Sequence, residues 1–276
     1  MTTIKKITLL TILFFTLQTI SAQSVEQQNP WQERDRKNMK PLPHQYQREA
    51  DVFWSKHIWR IIDTRQKMNK PFEYPQRPLI QIIHEAALRG EIKVYDPAVE
   101  NADQFKKQMS ITEVSVIGVK NDTTIQSLPE NPDSEVTVMV HNDLGWDKIK
   151  KFRLKEVWFF DLNTSTIQVR ILAIAPVMED YDANGNYRGD MTMYWVPYDQ
   201  MRGLLAKQEV FNPQNDSKRF SWEDLFEMRK FESYIYKESN VYDRNIQEYA
   251  TGLEAQLESD RIQKELFEKE HDLWEY

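Results

Sequence analysis

Alternation of apolar and polar residues is strongest over residues 151–177, KFRLKEVWFFDLNTSTIQVRILAIAPV. Two runs rich in Val, Ile and Phe flank the segment 161–165, DLNTS, whose residues are typical of a turn. The pattern predicts a β-hairpin. Its first strand places Trp158 and Phe160 on one face, because side chains alternate with a period of two along a strand.

Helical spacing of apolar residues occurs over 79–88, between Pro78 and Gly90, which are typical helix boundaries. A similar order recurs later, where the helical pattern of DQMRGLLAKQ leads into VFNP as the first helix leads into VYDP. We interpret these passages as a possible internal repeat of hairpin-helix-strand units. If the repeat holds, HIWRIID (57–63) corresponds to VRILAIA and is predicted to be a strand. This segment alone is equally compatible with a helix.

The middle of the chain, residues 98–147, has a less regular pattern. The segments EVSVIGV (113–119) and EVTVMV (135–140) are compatible with strands because they are rich in valine. The segment NADQFKKQ (101–108) is compatible with a short helix. The pattern leaves open whether this region is helical or extended.

From Phe220 onward the pattern predicts helices. Ser221 and Asp224 have the spacing of a capping box, and an apolar stripe continues from there through Tyr234 and Ile235. A second helical region follows Asn240. These patterns together predict an α+β fold with a mainly antiparallel sheet, flanking helices and a C-terminal helical region.

The tail over residues 241–276 has a thin apolar stripe among many acids. A stripe this thin buries little surface, so the helix needs a neighbour, either the body of this chain or another subunit. The last residues include a tryptophan that has no reason to be exposed unless something covers it. We therefore predict that Leu266, Leu273, Trp274 and Tyr276 bind a partner.

The N-terminal pattern predicts export. Two lysines precede an uncharged apolar run of about 14 residues, too short for a membrane span, which needs about 20. Small residues follow, as before a signal-peptidase site. We expect a signal peptide at 1–22, an extended polar arm at 23–45, an α+β core domain at 46–240 and the helical tail, with no direct membrane insertion.

Composition excludes several classes of function. The chain of 276 residues contains no cysteine, so it has neither disulfides nor a lipidated cysteine. Its formal net charge of −7 disfavours binding to nucleic acid. Only seven glycines are present, and no glycine-rich phosphate loop occurs.

Enzyme motifs are equally absent from the sequence. The five histidines lack the spacing of metal ligands, and no GxSxG motif marks a nucleophilic serine. Glu223 and Asp224 are adjacent acids, but neighbours on a helix point in different directions, and acids are favoured in a first helical turn. We therefore expect no cofactor, no metal and no catalytic residue.

Residues 180–191, DYDANGNYRGDM, begin like an EF-hand loop. Position 12 of that loop requires a bidentate glutamate, and Met191 occupies it here. The flanking segments are β-like, whereas an EF-hand has helices on both sides. We interpret this stretch as the loop of a hairpin, and a weak calcium site remains the alternative.

Several longer stretches carry a resemblance to a known family. KIKKFRLKEVWFFD, VRILAIAP, SWEDLFEMRKF, YIYKESNVYDR and EKEHDLWEY resemble the gliding-motility protein N family, also called GldN or PorN. The similarity covers most of the chain and is best from Trp146 to Tyr276.

The resemblance implies a non-enzymatic periplasmic subunit of the type IX secretion and gliding-motility machinery. Members of that family form a ring with an outer-membrane lipoprotein, gliding-motility protein K, and are thought to contact the periplasmic part of gliding-motility protein M. The resemblance thus implies both partners, self-association within the ring and association with the outer membrane through partners. A secreted hydrolase or carbohydrate-binding protein with an unrecognised site is the alternative.

The interpretation of residues 180–191 as a hairpin loop can be tested by measuring calcium binding. Isothermal titration calorimetry of the purified chain with CaCl₂ should show no binding tighter than about millimolar, because the loop lacks its bidentate ligand. Tighter binding that is lost in Asp182→Asn would contradict the hairpin-loop reading.

Overall fold

The computed structural model describes residues 38–98, 104–117, 120–128, 131–142, 145–182, 185–213, 215 and 219–272. The strands are β1 (Val52–Asp63), β2 (Lys120–Leu128), β3 (Asn131–Asn142), β4 (Ile149–Asp161), β5 (Thr166–Tyr181), β6 (Tyr187–Thr192), β7 (Val196–Pro197), β8 (Glu209–Val210), β9 (Phe220–Ser221) and β10 (Tyr234–Glu238). The α-helices are α1 (Leu79–Leu88), α2 (Ile111–Val116), α3 (Tyr198–Leu205), α4 (Trp222–Glu227) and α5 (Leu253–Asp272). Short 3₁₀ segments occupy residues 49–51, 67–73, 146–148 and 246–248.

The main sheet has the order β10-β1-β4-β5-β6, and β7 pairs with β5. All its pairings are antiparallel, and β4 lies at its centre. The strands β2 and β3 form a separate two-stranded sheet, as do β8 and β9. The α+β class and the antiparallel sheet that the sequence predicts are therefore confirmed.

The predicted hairpin is the pair β4–β5, in which Trp158 pairs with Val169 and Phe160 with Ile167. HIWRIID is a strand, the second half of β1. The helix at 79–88 has the predicted bounds, because Pro78 occupies its N-cap and Gly90 follows it at φ 71°. The internal repeat stays a prediction.

One expectation about secondary structure is wrong. Tyr234 and Ile235 do not continue a helix but form β10, which pairs with β1. The helix α4 ends earlier, and Arg229 at φ 52° turns the chain in a left-handed conformation that interrupts helical geometry. The following Tyr, Ile and Tyr have high β propensity, and they form a strand that pairs with the edge of β1.

For the region that the sequence left open, the structure shows that the first four residues of EVSVIGV belong to helix α2. Ser110 and Glu113 form a capping box there, which outweighs the β propensity of the valines. EVTVMV does lie in a strand, β3. The short helix expected at 101–108 lies partly outside the described residues, and Gln108 forms a β-bridge with Tyr95 instead.

The two sides of the main sheet differ in what covers them. We call the side that carries Phe152, Leu154 and Trp158 the helix face, and the side that carries Lys151 and Arg153 the open face. Helices α1, α3 and α4 bury the first half of β4 in a large apolar cluster, and α5 buries its second half in a smaller one. No helix in the described part of the chain is long and apolar enough to cross a bilayer.

A buried charge lies between these two clusters. Glu156 on β4 has no solvent exposure, and Arg229 Nη1 lies 2.9 Å from its carboxylate. Arg60 Nε lies 3.3 Å away in an ionic contact without hydrogen-bond alignment, and the Trp158 indole N–H donates at 3.1 Å. Burial lowers the pKa of the Arg60 guanidinium, which the charge of Glu156 opposes. Because a buried charge is costly without partners, these contacts fix where β4, β1 and the turn at Arg229 meet.

Helix α5 also protects an edge of the sheet. β10 is the edge strand, and its Ile235 N–H donates to the Ser259 side chain of α5 at 3.0 Å. Ile262 and Leu266 of the same helix are buried against Ile58 and Trp158. The C-terminal helix is therefore packed on the body of its own chain, one of the two neighbours that the sequence left open.

The packing of Trp158 predicts a large effect on stability. Trp158→Ala should lower the free energy of unfolding by about 3 to 5 kcal/mol, because it leaves a cavity between β4 and α5. Tyr46→Ala is the control, since this side chain is 84% exposed and should change stability by no more than about 0.5 kcal/mol. Urea denaturation measures both, and equal midpoints for Trp158→Ala and the parent would refute the burial.

Candidate interaction site

Cations and aromatic rings interleave on the open face. Lys151, Arg153 and Lys155 point to this face because they alternate along β4 with the apolar residues of the helix face. Arg153 Cζ lies 5.3 Å from the ring centre of Tyr236, and Lys155 Nζ lies 5.5 Å from that of Trp59. Both distances are within the range of cation–π attraction.

Lys151 and Arg153 line an open groove of about 560 Å³. Its aromatic lining comes from β1, β6, β10 and the segment before β7: Trp59, Tyr187, Tyr234, Tyr236 and Trp195. Tyr187 and Tyr234 are exposed, whereas Trp59 and Trp195 are buried in a cluster against which Tyr236 packs. Rings that are fixed on a sheet in this way provide contact area at low entropic cost, as interface centres do. The groove is therefore the candidate interaction site.

Of three cations that line the groove, two form ion pairs with a carboxylate of a described residue and one does not. Lys151 Nζ lies 2.7 Å from the Asp190 carboxylate, and Lys237 Nζ lies 2.7 Å from that of Asp243. Arg153, between them, pairs with no carboxylate among the described residues. Its Nη1 donates to the Thr192 hydroxyl at 2.9 Å, and its Nε is buried without a hydrogen-bond partner there. A half-buried guanidinium in this state is suited to bind an external carboxylate.

One wall of the groove is a loop with fixed geometry. The Asn240 side-chain amide donates to the Glu238 and Arg244 carbonyls at 2.9 and 2.8 Å, and its oxygen accepts the Tyr242 and Arg244 N–H groups. Asp243 has φ 52° and binds Lys237 across the groove. The wall is thus ordered before any partner binds, which reduces the entropic cost of association.

Of the four residues predicted to bind a partner, the structure describes only Leu266. Leu266 is only 4% exposed and is buried in the cluster between α5 and the sheet. Leu273, Trp274 and Tyr276 lie outside the described residues. Their partner binding stays a prediction, and the structure brings none of the described ones to the groove.

The adjacent acids Glu223 and Asp224 have structural contacts. Glu223 is buried, 2.7 Å from Arg202, and accepts the Leu42 N–H, while Arg202 donates to the Leu42 carbonyl. This pair fixes the described end of the polar arm on α3 and α4. Asp224 accepts the Ser221 N–H at 2.9 Å in the predicted capping box.

The EF-hand-like segment contains the end of β5 and most of β6, which pair with each other in antiparallel fashion. Asp182 uses its carboxylate within the loop, because it accepts the Asn186 backbone N–H at 2.8 Å. Asp180 lies 3.7 Å from Arg188, which occupies position 9 of the motif. Among the described residues, no cluster of His, Asp or Glu has the arrangement of a metal site.

Sequence reasoning missed the groove. Its local signal was the spacing of Lys151, Arg153 and Lys155, three cations on one face of a predicted strand. That pattern is typical of a solvated strand face, and nothing in it reveals the aromatic residues of β1, β6 and β10 beside it.

A comparison with known proteins gives a family. The family model described as "Gliding motility associated protein GldN" matches residues 47–275, most of the chain. No curated protein matches the chain.

A charge removed from the helix face of β4 should lower stability much more than a charge removed from its open face. Glu156→Gln should cost about 3 to 5 kcal/mol, because it leaves two guanidinium groups without their buried carboxylate. Arg153→Gln should cost less than about 1 kcal/mol, because it breaks no ion pair with a described residue. Urea denaturation of both variants gives the comparison. Equal losses would show that Arg153 has a structural role instead of a binding one.

Proposed function

Because the chain belongs to the GldN family of gliding motility associated proteins, we propose that it is a non-enzymatic, periplasmic structural subunit of the type IX secretion and gliding-motility machinery. Family membership makes it a component of that machinery. Its location, its lack of catalysis and its role in a ring belong to the proposal.

The observation that carries the proposal is the groove on the open face. Aromatic residues line a groove in which Arg153 lies over the Tyr236 ring and pairs with no described carboxylate, and an ordered loop forms one wall. Such a surface is suited to bind another protein chain, since aromatic residues and arginine dominate the centres of protein interfaces. The adjacent acids considered for catalysis instead hold the arm and cap a helix.

The partners proposed are those of the family. They are an outer-membrane lipoprotein of the gliding-motility protein K type, the periplasmic part of gliding-motility protein M, and further copies of this chain in a ring. The predicted signal peptide supports a periplasmic location. Association with the outer membrane then goes through the partners.

The test is crosslinking in intact cells followed by purification of the tagged chain. We expect the lipoprotein and the motility protein to be recovered with it. Arg153→Glu should lower the yield of the large crosslinked assembly, because it places a negative charge at the centre of the groove. Lys207→Glu is the matched control, since it makes the same charge change at an exposed site after α3.

Recovery of neither component with the wild-type chain would refute the proposal. It would favour the secreted hydrolase or carbohydrate-binding alternative. Equal yields from the two charge variants would separate the groove from assembly.

A further inference from the structure

We propose that the groove binds the C-terminal segment, residues 270–276, of a second copy of this chain. The inference rests on the proposed function, because it specifies how copies of the subunit contact each other. It assigns one surface of each copy as the receptor and another as the ligand.

Charge and aromatic content of the segment match those of the groove. The sequence EHDLWEY contains three acids and two aromatic residues, with no lysine or arginine. The groove offers Arg153, which pairs with no carboxylate among the described residues, together with the accessible rings of Tyr187, Tyr234 and Tyr236. A guanidinium above a tyrosine ring binds carboxylates in a defined geometry, and neighbouring rings pack against aromatic side chains. The groove therefore complements an acidic, aromatic segment.

Helix α5 directs this segment away from the groove of its own chain. The helix lies on the helix face, where Ser259 contacts Ile235 of β10 and Lys269 lies over Trp54 near the start of β1. It thus runs towards residue 54. The centre of the groove is on the opposite face at Arg153, which pairs with Ile61.

The remaining length is too short to reverse this direction. Beyond Lys269, three helical residues add about 4.5 Å. Four further residues reach at most about 14 Å. The separation along β1 from Trp54 to Ile61 is about 23 Å, before the sheet is crossed. Tyr276 therefore does not reach Arg153 of its own chain, and the occupant is a second copy.

The contact has a defined symmetry. Because the groove and the C-terminal segment are different surfaces, each copy donates one segment and accepts another. Such heterologous contacts repeat from copy to copy, and they close into a ring when the rotation permits it.

The first experiment measures the contact directly. A fluorophore-labelled synthetic peptide of residues 268–276 is titrated into the purified chain lacking 273–276, and anisotropy is recorded. We expect saturable binding that weakens with salt. Arg153→Gln should weaken it about tenfold or more, the effect of losing a charge-assisted hydrogen bond, whereas Lys207→Gln should not. No binding up to millimolar peptide, or equal binding to both variants, would overturn the inference.

Mixing two defective chains gives a second, independent readout. The Arg153→Glu chain retains the segment without a working groove. The chain lacking 273–276 retains the groove but lacks the last four residues of the segment, which include both of its aromatic side chains. In analytical ultracentrifugation neither should self-associate, but their mixture should form a one-to-one dimer and nothing larger. Wild-type self-association without such a dimer would overturn the head-to-tail contact.

The outcomes also separate this inference from the proposed function. Peptide binding without recovery of machinery components from cells would leave the contact and refute the function. Recovery of both components without peptide binding would refute the contact alone.

Discussion

The buried carboxylate of Glu156 constrains how the strands of the main sheet are arranged. Because a buried charge is costly unless cations lie next to it, Arg60 and Arg229 must stay close to this carboxylate in the folded chain. Arg60 comes from β1 and Arg229 from the turn after α4, so the contact joins the central strand to two distant parts of the chain. Arg229 adopts φ 52°, a conformation that costs free energy in a residue with a side chain. The ion pair offsets that cost and positions β10 along β1. The apolar clusters on either side exclude water from the pair.

The alternation of side chains along the central strand β4 places buried residues on one face and residues of the candidate interaction site on the other. Phe152, Leu154 and Trp158 face the helices and are buried. Lys151 and Arg153 face the groove, where aromatic rings from other strands support them. A shift of one residue in register would exchange the two sets, which would bury the cations and expose the apolar side chains. The apolar packing of the helix face therefore fixes the position of the binding groups.

Sequence patterns predicted the elements whose determinants are local. The hairpin β4–β5 and helix α1 follow from alternation and from Pro78 and Gly90, and all are where the pattern placed them. β10 was missed because its short Tyr-Ile-Tyr alternation also fits an apolar helical stripe, and the pairing with β1 that decides for a strand spans more than 170 residues. The groove was missed for the same reason, since Trp59, Arg153 and Tyr236 meet only after the sheet forms. For α2, the capping box was a local signal that the valine-rich composition concealed.

The hydrogen bond from Ile235 to Ser259 has a consequence for how the chain avoids misassembly during its maturation. β10 precedes α5 in the chain, so vectorial synthesis completes the edge strand before the helix that covers it. During that interval the edge is a template for pairing with foreign strands. The interval ends when α5 docks and removes one donor from that edge. Docking of α5 is therefore the step at which the β10 edge loses a donor for pairing with foreign strands.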